Sequence, residues 1–192
     1  MKKIIYSALF MLTTPAWAAT EGNYLTLNLI NTDAQLEDFN NEDFNPFGVE
    51  SDNQVSFGIA YRYAINFEEY FIAPKVFFDY NNLSLTDASN NSWDIDYSFG
   101  AGVDLGYDIY TDIAVGITAG VGTYEYAIDL SSGSNSSSEG FSFAGGFLEY
   151  EFADNFVASI AYEFSKVELK DPNNNISEFE INVFRAGISY KF

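Results

Sequence analysis

Gln54-Val55-Ser56-Phe57-Gly58-Ile59-Ala60-Tyr61-Arg62-Tyr63 alternates large apolar residues with small or polar ones along its whole length. Val55, Phe57, Ile59, Tyr61 and Tyr63 take one face of an extended chain; Ser56, Gly58, Ala60 and Arg62 take the other. Period two is the mark of a β-strand whose two faces meet different surroundings. The pattern recurs from Trp93 to Tyr107. There Ile95, Tyr97, Phe99, Ala101, Val103 and Leu105 oppose Asp96, Ser98, Gly100, Gly102, Asp104 and Gly106. It recurs again where Ile113, Val115, Ile117, Ala119 and Val121 oppose Ala114, Gly116, Thr118, Gly120 and Gly122.

The small face decides between two all-β architectures. A soluble sandwich would turn its large residues inward and cover its outside with long Lys, Glu or Thr. Here the second face is mostly Gly, Ser and Ala, which serve poorly on a solvent-facing strand. They suit the cramped lumen of a narrow barrel whose large residues point out into lipid. The sandwich is the competing fold. Strands are expected near 23–31, 54–64, 70–80, 93–107, 113–126, 141–152, 155–167 and 179–192. Connections 32–53, 81–92, 127–140 and 168–178 are long and rich in Asn, Asp, Ser and Gly, whereas 65–69, 108–112 and 153–154 are short. Eight strands with connections alternating long and short fit an eight-stranded antiparallel up-and-down transmembrane β-barrel, with both termini on the short-turn side.

Two strands resist this phase. In strand six Phe141 and Phe143 share one parity while Leu148, Tyr150 and Phe152 share the other. Either a bulge near Gly145-Gly146 reconciles them or two Phe point inward. Pro74 stands within strand three, where it has no N–H to donate, so a local irregularity is expected there. Aromatics gather at the strand ends, as interfacial girdles require. Tyr63, Phe67, Tyr70, Tyr107, Tyr110, Phe152, Phe156, Tyr190 and Phe192 belong to the short-turn end, and Tyr80, Trp93, Tyr126, Phe141 and Phe164 to the other.

Both chain ends point to export. Lys2 and Lys3 precede the apolar run Ile4 to Leu12, and Pro15 precedes Ala16-Trp17-Ala18. This is the layout of a signal peptide over residues 1–18, with the mature barrel domain spanning 19–192. The apolar run is too short to span a bilayer. At the other end, Arg185-Ala186-Gly187-Ile188-Ser189-Tyr190-Lys191-Phe192 resembles the C-terminal assembly signal of bacterial outer-membrane β-barrels. Arg185, Gly187, Tyr190 and Phe192 fill its four slots. By pattern, residues 19–192 resemble the small eight-stranded outer-membrane proteins, the opacity-type family and the OmpX and OmpA barrel domains. That resemblance implies the bacterial outer membrane as location, lipopolysaccharide and outer-membrane lipid as surroundings, and insertion by the barrel-assembly machinery. It fixes no biochemical activity, because fold and function separate in such families.

Composition narrows what the chain can do. Residues 19–192 carry six basic residues, namely Arg62, Lys75, Lys166, Lys170, Arg185 and Lys191, against 28 acidic ones, for a net charge of −22. Nucleic acid is excluded as a partner on this charge, and anionic surfaces are poor ones. There is no Cys and no His. The usual Ser/His, Asp/His and Cys/His arrangements therefore cannot be assembled, and no enzyme activity is expected. Carboxylates are so numerous that a pair at catalytic spacing arises by chance. Asp171-Pro172-Asn173-Asn174-Asn175 offers oxygen ligands, yet it lacks the Gly and the terminal Glu of a calcium loop, with Glu178 three residues beyond Asn175. No cofactor or metal is expected.

Two luminal ion pairs are expected from depth along the strands. Glu163 should meet Arg185, and Lys75 should meet Asp104, because Arg or Lys facing lipid near the midplane costs roughly 2–4 kcal/mol. Separate hydration of each charge in a wet lumen is the alternative. Function is expected in the long connections. The first, from Thr32 to Asn53, carries Asp33, Glu37, Asp38, Glu42, Asp43, Glu50 and Asp52 with no Lys or Arg, together with Phe39, Phe44 and Phe47. Asp33, Glu37, Asp38, Phe39, Glu42, Asp43, Phe44 and Phe47 form the candidate contact surface for a basic, partly apolar protein of a host or neighbouring cell. Packing of the Phe onto the barrel rim competes with that reading. A narrow channel for small solutes is the alternative function, and a monomer is the expected state.

Overall fold

The computed structural model describes residues 21–36, 50–51, 55–86, 92–130, 133–170 and 176–192. Among these residues nine strands follow one another: β1 (Gly22–Leu36), β2 (Glu50–Ser51), β3 (Val55–Phe67), β4 (Tyr70–Thr86), β5 (Ser92–Tyr110), β6 (Ile113–Leu130), β7 (Gly133–Ala153), β8 (Phe156–Lys170) and β9 (Ile176–Lys191). β2 is a two-residue strand against the outer end of β4. The other eight form a ring. Each pairs antiparallel with its chain neighbour, β4 pairs with β5, and β1 pairs with β9 to close the barrel. Two-residue turns at 68–69, 111–112 and 154–155 join the strands at one end. Glu68 and Asn155 take the left-handed conformation there. Among the described residues no helix could cross a membrane; the strands do so.

Alternation translates directly into outside and inside. Leu27, Phe57, Val76, Phe99, Ile117 and Ile188 lie exposed on the outer wall, while Ser56, Arg62, Asp104, Thr118 and Ser189 are buried inside. On β5, Tyr97 and Tyr107 bound the apolar band. At about 3.3 Å per residue and a tilt near 40°, the stretch between them covers roughly 25 Å, the height of a lipid-facing band.

The structure corrects several expectations. Ile95 does not share the outward face of Tyr97 and Phe99; it is buried. The ladder between β5 and β6 slips between Ile95 and Tyr97, so Asp96 is an extra residue and the phase flips across it. There is no bulge at Gly145-Gly146, because β6 and β7 keep one register from Tyr150 to Gly133. Phe141 and Phe143 instead point inward. Phe141 and Tyr126 are therefore luminal residues, not members of an outer girdle. Pro74 does interrupt one ladder. Pairing of β3 with β4 passes from Arg62 opposite Lys75 to Ile65 opposite Ile72, while β5 still pairs across from Pro74.

Strands also run further than expected at the long-loop end, to Leu36, Thr86, Leu130 and Lys170. Ser-, Asn- and Asp-rich sequence has low strand propensity on its own. A hairpin partner already in register overrides that, so three of the four long connections become extended hairpins.

The run of small luminal residues on β5 and β6 has a specific use. Gly106 lies under the Phe71 ring and Gly116 under Phe147; Cβ atoms at Gly120 and Gly122 would stand 2.6 Å from ring carbons of Phe143 and Phe141. A glycine floor thus receives rings from the directly paired strands β4 and β7, and the narrow interior is filled to packing density. Gly122→Ala should destabilise the barrel by about 1–3 kcal/mol through overpacking. Adding Phe141→Ala should return part of that stability. A heat- or urea-unfolding midpoint unchanged by Gly122→Ala would mean the Phe141 ring is free to move aside.

Candidate functional site

Inside the barrel, two apolar layers enclose a charged one. Toward the short turns, Tyr24, Ala64, Phe71, Ala73, Ala114 and Val157 pack together with Phe147. Toward the long hairpins the cluster includes Ile30, Phe77, Ile95, Tyr124, Phe143 and Ile181. Between them runs a chain of seven side chains with alternating charge. Glu149 pairs with Arg62 at 2.6 Å, and Arg62 reaches Asp104 at 3.6 Å. Asp104 pairs with Lys75 at 2.9 Å, and Lys75 reaches Glu163 at 3.5 Å. Glu163 accepts from Arg185 at 2.7 Å, and Arg185 pairs with Asp79 at 2.9 Å.

Each cation also sits against a ring. The Arg62 guanidinium lies 4.7 Å from the Tyr24 ring centre, Lys75 lies 5.5 Å from that of Phe143, and Arg185 lies 5.6 Å from that of Phe77. Lys75 also donates to the Thr118 hydroxyl at 2.7 Å. Charge that water would solvate is thus held by opposite charge, hydroxyl and π-face.

Glu163 with Arg185 and Lys75 with Asp104 are brought together in this chain, each pair spanning neighbouring strands. Sequence reasoning missed Arg62, Asp79 and Glu149. The small-face parity of Arg62 and its place beside inward Ser56 and Ala64 were the available signal. For Glu149 the signal was hidden by the ambiguous phase of its strand. The space left over is slight. A cavity of about 70 Å³ lies beside Arg62, Lys75, Glu149 and Glu163, and one of about 10 Å³ lies beside Asp79 and Asn81. Arg185 borders both. A chain of charges closed above and below by rings can hold a few waters and bar a path.

The octet residues divide by face. Arg185 and Gly187 lie on the luminal parity, whereas Tyr190 and Phe192 are outward, 46 % and 63 % exposed. Phe156 packs tilted against them, its ring centre 5.2 Å from that of Tyr190, with Phe192 stacked 6.5 Å beyond. Of the candidate contact surface, only Asp33 falls among the described residues. It belongs to β1, opposite Asn182, and not to a loop. Glu37, Asp38, Phe39, Glu42, Asp43, Phe44 and Phe47 lie outside the described residues, as do the signal segment 1–18 and the run 171–175.

The family model described as outer membrane protein beta-barrel domain matches residues 4–192. The chain belongs to that family. It is a protein of the bacterial outer membrane, so the short turns face the periplasm and the long hairpins the exterior. No curated protein matches the chain in sequence. Among solved structures it is similar to Ail, the attachment invasion locus protein of Yersinia pestis, crystallised with the heparin analogue sucrose octasulfate. That likeness has 16 % identity and TM-score 0.59, covering 90 % of this chain and 100 % of Ail. Neisserial surface protein A matches at 13 % identity and TM-score 0.57, covering 89 % and 97 % of the two chains. OprG from Pseudomonas aeruginosa matches at 11 % identity and TM-score 0.50, covering 94 % and 99 %. At these identities the likeness is one of fold.

Proposed function

We propose that this outer-membrane barrel acts at its exterior end, as an envelope and surface-interaction protein of the adhesin kind. One observation carries the reading: among the described residues the lumen is occupied by the seven-charge chain between two ring-packed layers, with cavities of about 70 and 10 Å³ beside the charges. A filled interior leaves the wall, which faces lipid, and the exterior hairpins as the surfaces available for work. The alternative of a narrow channel needs a continuous path, and that packing opposes it. The first exterior connection, with seven carboxylates and three Phe, favours a basic and partly apolar protein partner on a host or neighbouring cell. Ail was crystallised with a sulfated polyanion. The acidity of this chain argues against such a ligand here, because like charges repel at close range. Further parts of the proposal are removal of residues 1–18, insertion by the barrel-assembly machinery, a monomeric barrel surrounded by lipopolysaccharide, and no catalytic activity.

Purified protein in planar bilayers should show no conductance steps. Removing residues 38–48 should leave the unfolding midpoint unchanged while abolishing adhesion to cells, and adhesion by the intact protein should weaken as salt rises. Stable unitary conductance would replace this reading with the channel. Unaltered adhesion after the deletion would move the contact surface elsewhere on the exterior end.

A further inference from the structure

Along β1, β9 and β8 the lipid-facing wall is hollowed. A groove of about 730 Å³ runs down its outer side. Leu25, Leu27 and Leu29 form one bank, and Phe156 and Ile160 form the other. The floor is low because small residues stand beside large ones. Ala186 lies on β9 between Leu29 of β1 and Ile160 of β8, and Ala158 lies on β8 beside Ile188. Tyr190, between Leu25 and Phe156, stands at the lower end. The lining is apolar apart from Asn28 and Ser159, which also line the luminal cavity.

The depth of the groove in the membrane follows from its ends. Phe156 and Tyr190 belong to the ring cluster at the periplasmic interface. From Leu25 to Leu29 the strand climbs roughly 10 Å, somewhat under half of the ~25 Å lipid-facing band. The groove thus occupies the periplasmic leaflet and ends near the bilayer middle, out of reach of lipopolysaccharide in the outer leaflet. Charge at the lower end discriminates among lipids of that leaflet. Glu21, just before β1, and Asp154, in the turn before β8, are exposed on either side of the groove. Glu21 also accepts from the Tyr63 hydroxyl at 3.2 Å. Glu68 and Glu69 are exposed further round the rim, and among the described residues Lys191 is the one basic residue at this end. A headgroup of net negative charge meets repulsion at such a rim, whereas an ammonium beside the phosphate meets opposite charge.

We propose that this groove seats one acyl chain of a periplasmic-leaflet glycerophospholipid whose headgroup carries a protonated amine, held at the rim by Glu21 and Asp154. The inference rests on the outer-membrane location and not on the surface-interaction reading. In hydrocarbon an apolar surface gains nothing merely by being covered, because lipid tails are as apolar as leucine. A hollow is different: left empty it forfeits dispersion contacts, and a flexible chain restores them. The small floor supplies the fit, and the carboxylates supply the choice of headgroup. A second copy of this chain fits less well, because a twofold contact sets groove against groove and enlarges the void.

The test places the full protein in nanodiscs of equimolar phosphatidylethanolamine and phosphatidylglycerol. A trace of the phosphatidylethanolamine carries a photoreactive diazirine halfway along one chain, and a matched probe carries the glycerol headgroup instead. After illumination, labelled residues are read by peptide mass spectrometry. The amine probe should label Leu27, Leu29 and Ile160 at least ~10-fold above Val103, Leu105 and Ile117, which lie exposed on the opposite wall. The glycerol probe should label both walls alike. Ala158→Phe combined with Ala186→Phe should level the labelling by the amine probe while heat-modifiable folding is retained. Even labelling of both walls by the amine probe in the unaltered protein overturns the proposal, whatever the double variant does. So does an equal groove preference of the two probes, or a full preference that survives the double replacement. A dimer whose groove residues resist both probes overturns the lipid in favour of a second copy.

Discussion

Replacing Arg62 by methionine should lower barrel stability by about 3–5 kcal/mol. Arg62 is the one cation within ion-pair distance of Glu149 among the described residues, so its removal strands that carboxylate in a closed layer. Asp104 suffers less, because Lys75 remains beside it at 2.9 Å. Lipid cannot relieve the stranded charge, and the rings above and below keep bulk water away. Adding Glu149→Gln to Arg62→Met should recover a large part of the loss, since a neutral amide is far less expensive to bury. The measurement is the urea or thermal midpoint for loss of the folded, fast-migrating form in detergent or lipid. A shift below about 1 kcal/mol for Arg62→Met would show each charge to be separately hydrated, and the chain of contacts to contribute little.

Deleting Phe192 should prevent most of the protein from reaching its folded, inserted form in the cell, with unfolded chain accumulating in the periplasm and being degraded. Phe156, Tyr190 and Phe192 make a contiguous outward ring cluster at the periplasmic end, and the last ring closes it. The barrel itself should tolerate the loss far better, because Phe192 touches no luminal residue of the charge chain and aromatic rings at the interface contribute only modestly to folded stability. The two effects separate in practice: refolding of the truncated chain into detergent should be near normal while its insertion in cells fails. Wild-type amounts of heat-modifiable protein in the outer membrane after the deletion would remove the octet from its proposed role.

How much of this was legible beforehand differs between wall and lumen. The outward residues of β3 and β6 were assigned correctly by parity alone, because each lipid-facing side chain is chosen by its own position in a two-residue repeat. Asp96 defeated the same rule on β5, since a single inserted residue reverses parity and carries no mark in composition. Phe141 and Phe143 left two readings open. Their inward placement depends on Gly120 and Gly122 of the adjacent strand, and no local pattern couples those positions. Strand ends were underestimated for a related reason: Ser134 to Ser138 joins a ladder only because β6 is already beside it.

By itself the amino-acid order determined an all-β wall, its inside and outside, the eight crossings, and the two ion pairs between neighbouring strands. Those are properties of local alternation and of depth along adjacent segments. Which charges meet across the lumen was decided only by closure. Arg62 on β3 reaches Glu149 on β7, and Lys75 on β4 reaches Glu163 on β8, each from the opposite wall of the ring. The end of the β7–β8 ladder, at Ser142 opposite Lys166, belongs with them. Its cause is the unequal length of two hairpins that the closed barrel sets side by side, and separation along the chain carries no record of that neighbour relation.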